Sequence, residues 1–216
     1  MDDLSRSSNV LKNTVAGVVQ RVVAIGAGFL IQVLYIRFLG IEYVGVSSLF
    51  ASILSVLSLA ELGIGAAITF NLYKPIAEHD YMTMSAYVRF YAKAYRIVAG
   101  VILLIGMFVM PFITWVINDV PDIKENVYII YALILIDTVL SYLLVYKSTI
   151  LIAAQKNRMV TNIQTLGYVL KCILIVIVLL SCKNFYLVLM VSCVVTVLQN
   201  LSISICADKQ FPELKR

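Results

Sequence analysis

Residues 35–75 read YIRFLGIEYVGVSSLFASILSVLSLAELGIGAAITFNLYKP. Arg37 closes one apolar run, and the run that follows carries a single acid, Glu61, directly before Gly63-Ile64-Gly65. Ser48, Ala51, Ser52, Ser55 and Ser58 recur at i, i+3, i+4, i+7 and i+10, so a helix here gathers them on one face. A small, hydroxyl-bearing face wants a neighbouring helix or a cavity rather than lipid. The stretch thus predicts two apolar helices joined by a short corner, the second with a side reserved for something other than hydrocarbon.

Composition extends this reading to the whole chain. Of 216 residues, 62% are hydrophobic and only 13% charged, far from the balance of a soluble domain. Mean hydropathy is +0.96, and the chain reads as an all-α polytopic membrane protein. The first apolar run lasts about 25 residues without a small-residue cleavage pattern, so it is expected to be a retained span. The net charge of +5 follows from basic residues collecting in loops on one side of a membrane, and nucleic acid is not an expected partner. Cys172, Cys182, Cys193 and Cys206 lie in the last two apolar runs without CxxC spacing, as small apolar fillers. Nothing calls for a metal or a cofactor.

Hydropathy predicts six spans, at about 14–38, 43–71, 98–117, 127–152, 160–182 and 185–206, after an N-terminal segment 1–13 and before a tail 207–216. An even count puts both termini on one side. Arg6, Lys12, Lys74, Arg89, Lys93, Arg96, Lys156, Arg158, Lys209, Lys215 and Arg216 fall there. The other side has Arg37, Lys124 and Lys183 against Glu42, Asp119, Asp122 and Glu125. Both ends are therefore expected to be cytoplasmic.

The loops leave no room for a soluble domain. In the second, Tyr81, Tyr87, Phe90, Tyr91 and Tyr95 alternate with Arg89, Lys93 and Arg96, the pattern of an interfacial helix leading into span three. His79, the only histidine, sits between Glu78 and Asp80 as a solvated loop residue. Asn118-Asp119-Val120-Pro121-Asp122 is an acidic turn on the opposite side, with Pro111 and Trp115 just before it.

Any chemistry must then lie within the membrane, where an ionised side chain costs roughly 2.5–3.5 kcal/mol unless it faces protein or water. Counting about 1.5 Å per residue from the helix ends, Arg21 lies roughly 12 Å deep, with Glu61 and Lys171 at roughly 16 Å. Asp137 is midway along span four. Two couples follow, Arg21 with Glu61 and Asp137 with Lys171. They are either static pairs that cancel each other's desolvation or the border of a hydrated, partly cationic cavity suited to phosphates and sugars. Lys147, near the end of span four, has the stem length to snorkel and is expected to be an interface anchor. Gly26, Gly28, Gly63 and Gly65 mark points of close helix approach or bending.

Specific strings add a resemblance. R-x-LG-x-EYVG at 37–45, LSLAELGIGAAITFNLYKPIAEHD at 57–80, SYLLVYKSTILIAAQKN at 141–157 and KQFPELK at 209–215 resemble the N-terminal half of bacterial Wzx-type polysaccharide and O-antigen flippases. These belong to the multidrug/oligosaccharidyl-lipid/polysaccharide exporter superfamily. The resemblance implies a transporter, not an enzyme, that flips a polyprenyl-diphosphate-linked oligosaccharide between leaflets of the bacterial inner membrane. It also implies that the six helices form one lobe of a two-lobed exporter, the second lobe being absent from this stretch or supplied by a second copy. Arg37 matches the arginine of the first string, and either clamps its corner through Glu42 or faces the outer mouth of the cavity. Arg21, Glu61, Asp137, Lys171 and Arg37 are thus the expected substrate-binding residues, with membrane lipids as further partners. A cation-coupled multidrug antiporter of the same superfamily is the second reading, weakened by Arg21 where those proteins carry an acid in span one. A membrane-embedded polysaccharide polymerase is the third, weakened by the short outer loops.

Overall fold

A computed structural model describes residues 3–58, 64–113 and 123–215. Among them every regular element is helical: α1 (Asp3–Phe38), α2 (Ile41–Ser58), α3 (Ile64–Ala77), α4 (Tyr81–Val109), α5 (Val127–Tyr142), α6 (Val145–Ala153), α7 (Asn157–Ser181) and α8 (Phe185–Gln210). Short 3₁₀ turns occupy Met110–Phe112 and Pro212–Lys215. Five of the described stretches are long and apolar enough to cross a membrane: Asn13–Phe38, Tyr81–Phe112, Val127–Ala153, Asn157–Ser181 and Phe185–Gln210. They fit a multi-pass membrane protein, and large side chains such as Phe29, Phe108 and Leu166 stand exposed on their outer faces.

The segment expected as the second of six spans is not among the five. It consists of a shorter apolar helix, Ile41–Val56, and of α3. Residues 59–63 lie outside the described residues, and with them Glu61 and Gly63; so do Trp115 and the acidic turn at 118–122.

Local chemistry accounts for the element boundaries. Asp80, Asn126 and Asn184 cap α4, α5 and α8, each accepting a backbone N–H that the first helical turn leaves without a partner. Gly40, at φ +123°, ends α1, and its N–H reaches back to the Tyr35 carbonyl at 3.0 Å. Only Leu39 and Gly40 separate α1 from α2, a reversal that a side chain at Gly40 would strain.

α4 differs from the expected interfacial helix followed by a span, for it runs unbroken from Tyr81 to Val109. Met84, Val88, Tyr91, Tyr95, Ala99 and Ile102 continue one buried stripe through the basic segment, so packing carries the helix past Arg96. Span four differs in the opposite sense. Hydropathy gives one helix, but it breaks at Leu143 and Leu144 into α5 and the short α6.

The main buried cluster draws on all eight of these helices, from Tyr35 of α1 and Leu72 of α3 to Ile150 of α6 and Ile175 of α7, with most of its large side chains on α2, α4, α5 and α8. Phe50 meets Tyr131 edge-on at 5.1 Å, and the Tyr131 hydroxyl donates to the Gly106 carbonyl at 3.0 Å. At the end carrying the α1–α2 and α7–α8 turns, called here the hairpin end, Tyr35 and Tyr43 pack edge-on against Phe185. The Tyr43 hydroxyl donates to Glu125. At the opposite, tail end, Lys156 donates to the Gln210 side chain and lies 5.3 Å over the Phe211 ring.

Candidate functional site

The break in span four determines the site. A helix end leaves its last carbonyls without intrahelical donors, and inside a membrane each of them needs another partner. Asn200 of α8 supplies one: its amide donates to the Leu140 carbonyl at 3.0 Å and the Ser141 carbonyl at 3.4 Å. Ser141 and Thr138 themselves back-bond within α5, which bends helices. The break therefore has a polar side, turned to α8.

That side opens on a cavity of about 370 Å³ between α5, α6, α7 and α8. Ser141 and Ser148 border it from the two sides of the break, Thr196, Gln199 and Asn200 from α8, and Gln164, Tyr168 and Lys171 from α7. Two amide contacts fix the α7 wall. Gln199 donates to the Gln164 carbonyl at 3.2 Å, and the Gln164 side-chain oxygen accepts from Gln20 of α1 at 3.2 Å. Gly167 makes the first possible, since a Cβ there would stand only 1.7 Å from the Gln199 amide nitrogen. Helices α7 and α8 approach at this point because Gly167 has no side chain and leaves room for that of Gln199.

The sequence-derived residues divide. Asp137 and Lys171 come to one region: both lie within electrostatic reach of Cys193, and Thr196, which borders the cavity with Lys171, donates to Asp137 at 2.6 Å. They are not joined as an ion pair within 4 Å; the Asp137 carboxylate takes a hydroxyl instead. Lys171 is half-buried with no carboxylate at ion-pair distance among the described residues. Arg21 is exposed on α1, and its expected partner Glu61 lies outside the described residues. Arg37 is exposed in the last turn of α1, where a helix C-terminus favours a cation, and forms no ion pair with Glu42 within 4 Å.

Other expectations resolve residue by residue. Ser48, Ala51, Ser52 and Ser55 remain exposed on α2, and the hydroxyls of Ser52 and Ser55 turn back onto their own helix. Gly26 and Gly28 face open space, while a side chain on Gly65 would meet the Tyr95 hydroxyl at 3.3 Å. His79 is exposed at φ +55° in the turn before α4, and all four cysteines are free thiols.

Lys147 does not snorkel outward. It pairs with Asp208 of α8, at side-chain exposures of only 14% and 23%. Ser148, the next residue along α6, borders the cavity, whereas neither member of this pair lines it.

Sequence reasoning missed Thr196, Gln199, Asn200 and Gln164 because it weighed only charges. The signal was nevertheless present: Ser192, Thr196, Gln199 and Asn200 recur at i, i+4, i+7 and i+8 in the largely apolar stretch 185–201. Such a face inside a span marks a cavity as surely as a charge does.

Chemically the site offers one cation, several amides and hydroxyls, and a tyrosine ring, a set that binds anionic oxygens and hydroxyl groups. No protein-family model, curated protein or solved structure matches the chain.

Proposed function

We propose that the chain is a membrane transporter which moves a polyprenyl-diphosphate-linked oligosaccharide from the inner to the outer leaflet of the bacterial cytoplasmic membrane for surface polysaccharide assembly. The observation that carries this reading is Lys171, a half-buried cation without a carboxylate at ion-pair distance, on a polar cavity beside a broken spanning helix. Irregular backbone at membrane depth is tolerated where it borders a cavity, and broken helices are how transporters build mid-membrane sites. Support also comes from the sequence, since the flippase-like string at 141–157 is the one that forms the break and α6.

In this reading Lys171 meets phosphate oxygens while Gln164, Gln199 and Asn200 meet hydroxyls. Residues 43–71 supply a sixth crossing, and both termini are cytoplasmic. The six helices form one lobe, completed by a second lobe or a second copy of the chain.

The test is complementation of a flippase-deficient bacterium, with the chain expressed alone or beside a second lobe. Surface polysaccharide should be restored by the parent and by Lys171→Arg, and reduced at least tenfold by Lys171→Gln at equal protein level. Undiminished polysaccharide with Lys171→Gln removes the cavity from the pathway. Efflux of a labelled drug without polysaccharide export would instead favour the antiporter, and shortened polymer with normal translocation the polymerase.

A further inference from the structure

A second concavity lies apart from the polar cavity, on the outer side of the bundle between α1 and α7. It has a volume of about 720 Å³. Its α1 wall is apolar, formed by Val15 and Val19; its α7 wall carries Arg158, Asn162 and Thr165 and then Leu166. Polarity thus changes along the groove, from a cation in the first turn of α7 at the tail end to hydrocarbon further in.

Ties between α1 and α7 flank the groove. At the tail end Asn13 of α1 donates to the Gln155 carbonyl and accepts the Arg158 backbone N–H, each at 3.1 Å. Deeper, Gln20 donates to Gln164. Between these ties α1 and α7 stay packed together, and the groove runs along the outer edge of that contact. The Arg158 guanidinium is exposed and, among the described residues, has no ion pair and no carboxylate bordering the groove with it.

We propose that this groove is a binding site for an anionic phospholipid. The phosphate sits on the Arg158 guanidinium with the Asn162 amide beside it, and an acyl chain runs inward over Val19 and Leu166. The charge is complementary, since a guanidinium binds phosphate oxygens in a bidentate fork and retains its charge at the membrane surface. The order of surfaces matches a phospholipid, with the charged group outermost and hydrocarbon within. Leu166, exposed to 70%, gains an apolar neighbour when a chain lies along it. The proposal does not depend on the transport reading, because the groove shares no lining residue with the polar cavity.

Native mass spectrometry of the full chain in mild detergent, titrated with phosphatidylglycerol or with phosphatidylcholine of the same acyl chains, tests it. One phosphatidylglycerol should bind in preference to phosphatidylcholine, and Arg158→Gln should weaken it about tenfold, the worth of one charge-assisted contact. Arg158→Lys should retain most of the affinity. Arg89→Gln, which removes an exposed cation on α4, should leave it unchanged. As a second readout, brominated phosphatidylglycerol should quench a fluorophore attached at Leu166→Cys in the parent but not with Arg158→Gln. Equal binding of the two lipids, or equal losses from Arg158→Gln and Arg89→Gln, would overturn the site. So would a dimer that keeps lipid away from Leu166, which would make a second copy the occupant.

Discussion

Thr196 donates its hydroxyl to the Asp137 carboxylate across the α5–α8 contact at 2.6 Å. Asp137 is half-buried midway along a spanning stretch, so this bond is what the carboxylate receives in place of water. Thr196→Val keeps the shape and removes the donor. It should lower stability in detergent by about 1–3 kcal/mol, the cost of a polar group left without its partner. Thr196→Ser should be close to neutral, and Thr196→Val combined with Asp137→Leu should recover much of the loss, as followed by thermal unfolding. Equal stability of the parent and Thr196→Val would show that the bond contributes nothing.

The Gly167–Gln199 contact gives a steric prediction. A methyl at Gly167 cannot coexist with the Gln199 side chain where it stands. Gly167→Ala should therefore destabilise the α7–α8 packing by about 1–3 kcal/mol through overpacking. Gln199→Ala should relieve that penalty in the double variant, at the cost of its own bond to the Gln164 carbonyl. A double-mutant cycle reads the coupling directly, and additive losses would refute the contact.

These residues also show how far the sequence was legible. The all-helical architecture follows from hydropathy, because a membrane forces every backbone group to be satisfied within the segment. The breaks do not follow from it. A 19-residue average is blind to the interruption at Leu143 and Leu144, which contains neither glycine nor proline and depends on Asn200 arriving from another helix. Asp137 and Lys171 were marked by their charge, but their bonding was not, since Thr196 competes for the carboxylate through a contact 59 residues apart in sequence. Lys147 departs from its expected place for a similar reason. Stem length argues for snorkelling only until a half-buried carboxylate, here Asp208, is within reach.

The Lys147–Asp208 pair should behave as a desolvated one. Removing a single partner leaves a charge without compensation, so Lys147→Met or Asp208→Leu alone should cost about 3 kcal/mol or somewhat less, given the partial exposure. The double variant Lys147→Met/Asp208→Leu should be more stable than either single variant. Equal and additive losses would show that the two side chains act independently.

A pH effect is expected at the start of α4. The Thr83 hydroxyl donates to one oxygen of Asp80 at 2.5 Å and the Thr83 backbone N–H to the other at 3.1 Å. These bonds, the hydroxyl first and then the N–H, hold the carboxyl below the usual carboxylate range. The sign follows. With the folded pKa depressed, the stabilisation is complete above the unfolded value of about 4 and is lost as pH falls through the folded one. Hydrogen exchange at the first turn of α4 should thus speed up below about pH 4 in the parent, beyond the intrinsic pH dependence of exchange. In Asp80→Asn the same turn should show no such step, and a step of equal size would assign the titration to another group.

Gln155 offers a change that should stabilise. It stands at φ +58° between α6 and α7, in the left-handed region where a Cβ crowds the backbone. Its side chain is exposed, and the residue bonds through its backbone: its N–H donates to the Ile152 carbonyl and its carbonyl accepts from Asn13. Gln155→Gly keeps both and removes the crowding. Glycine also gains freedom in the unfolded chain, which offsets part of the benefit, so the net gain should be about 0.5–1 kcal/mol. Gln155→Ala keeps the Cβ and should gain nothing, which separates backbone relief from loss of the amide. Asn13→Ala in the Gln155→Gly background should then cost about 1 kcal/mol, because the tie between α1 and the α6–α7 turn is lost while the turn itself stays relaxed. Thermal unfolding of the four proteins in one detergent decides it, and a lower midpoint for Gln155→Gly than for Gln155→Ala would mean that the left-handed turn is not a source of strain.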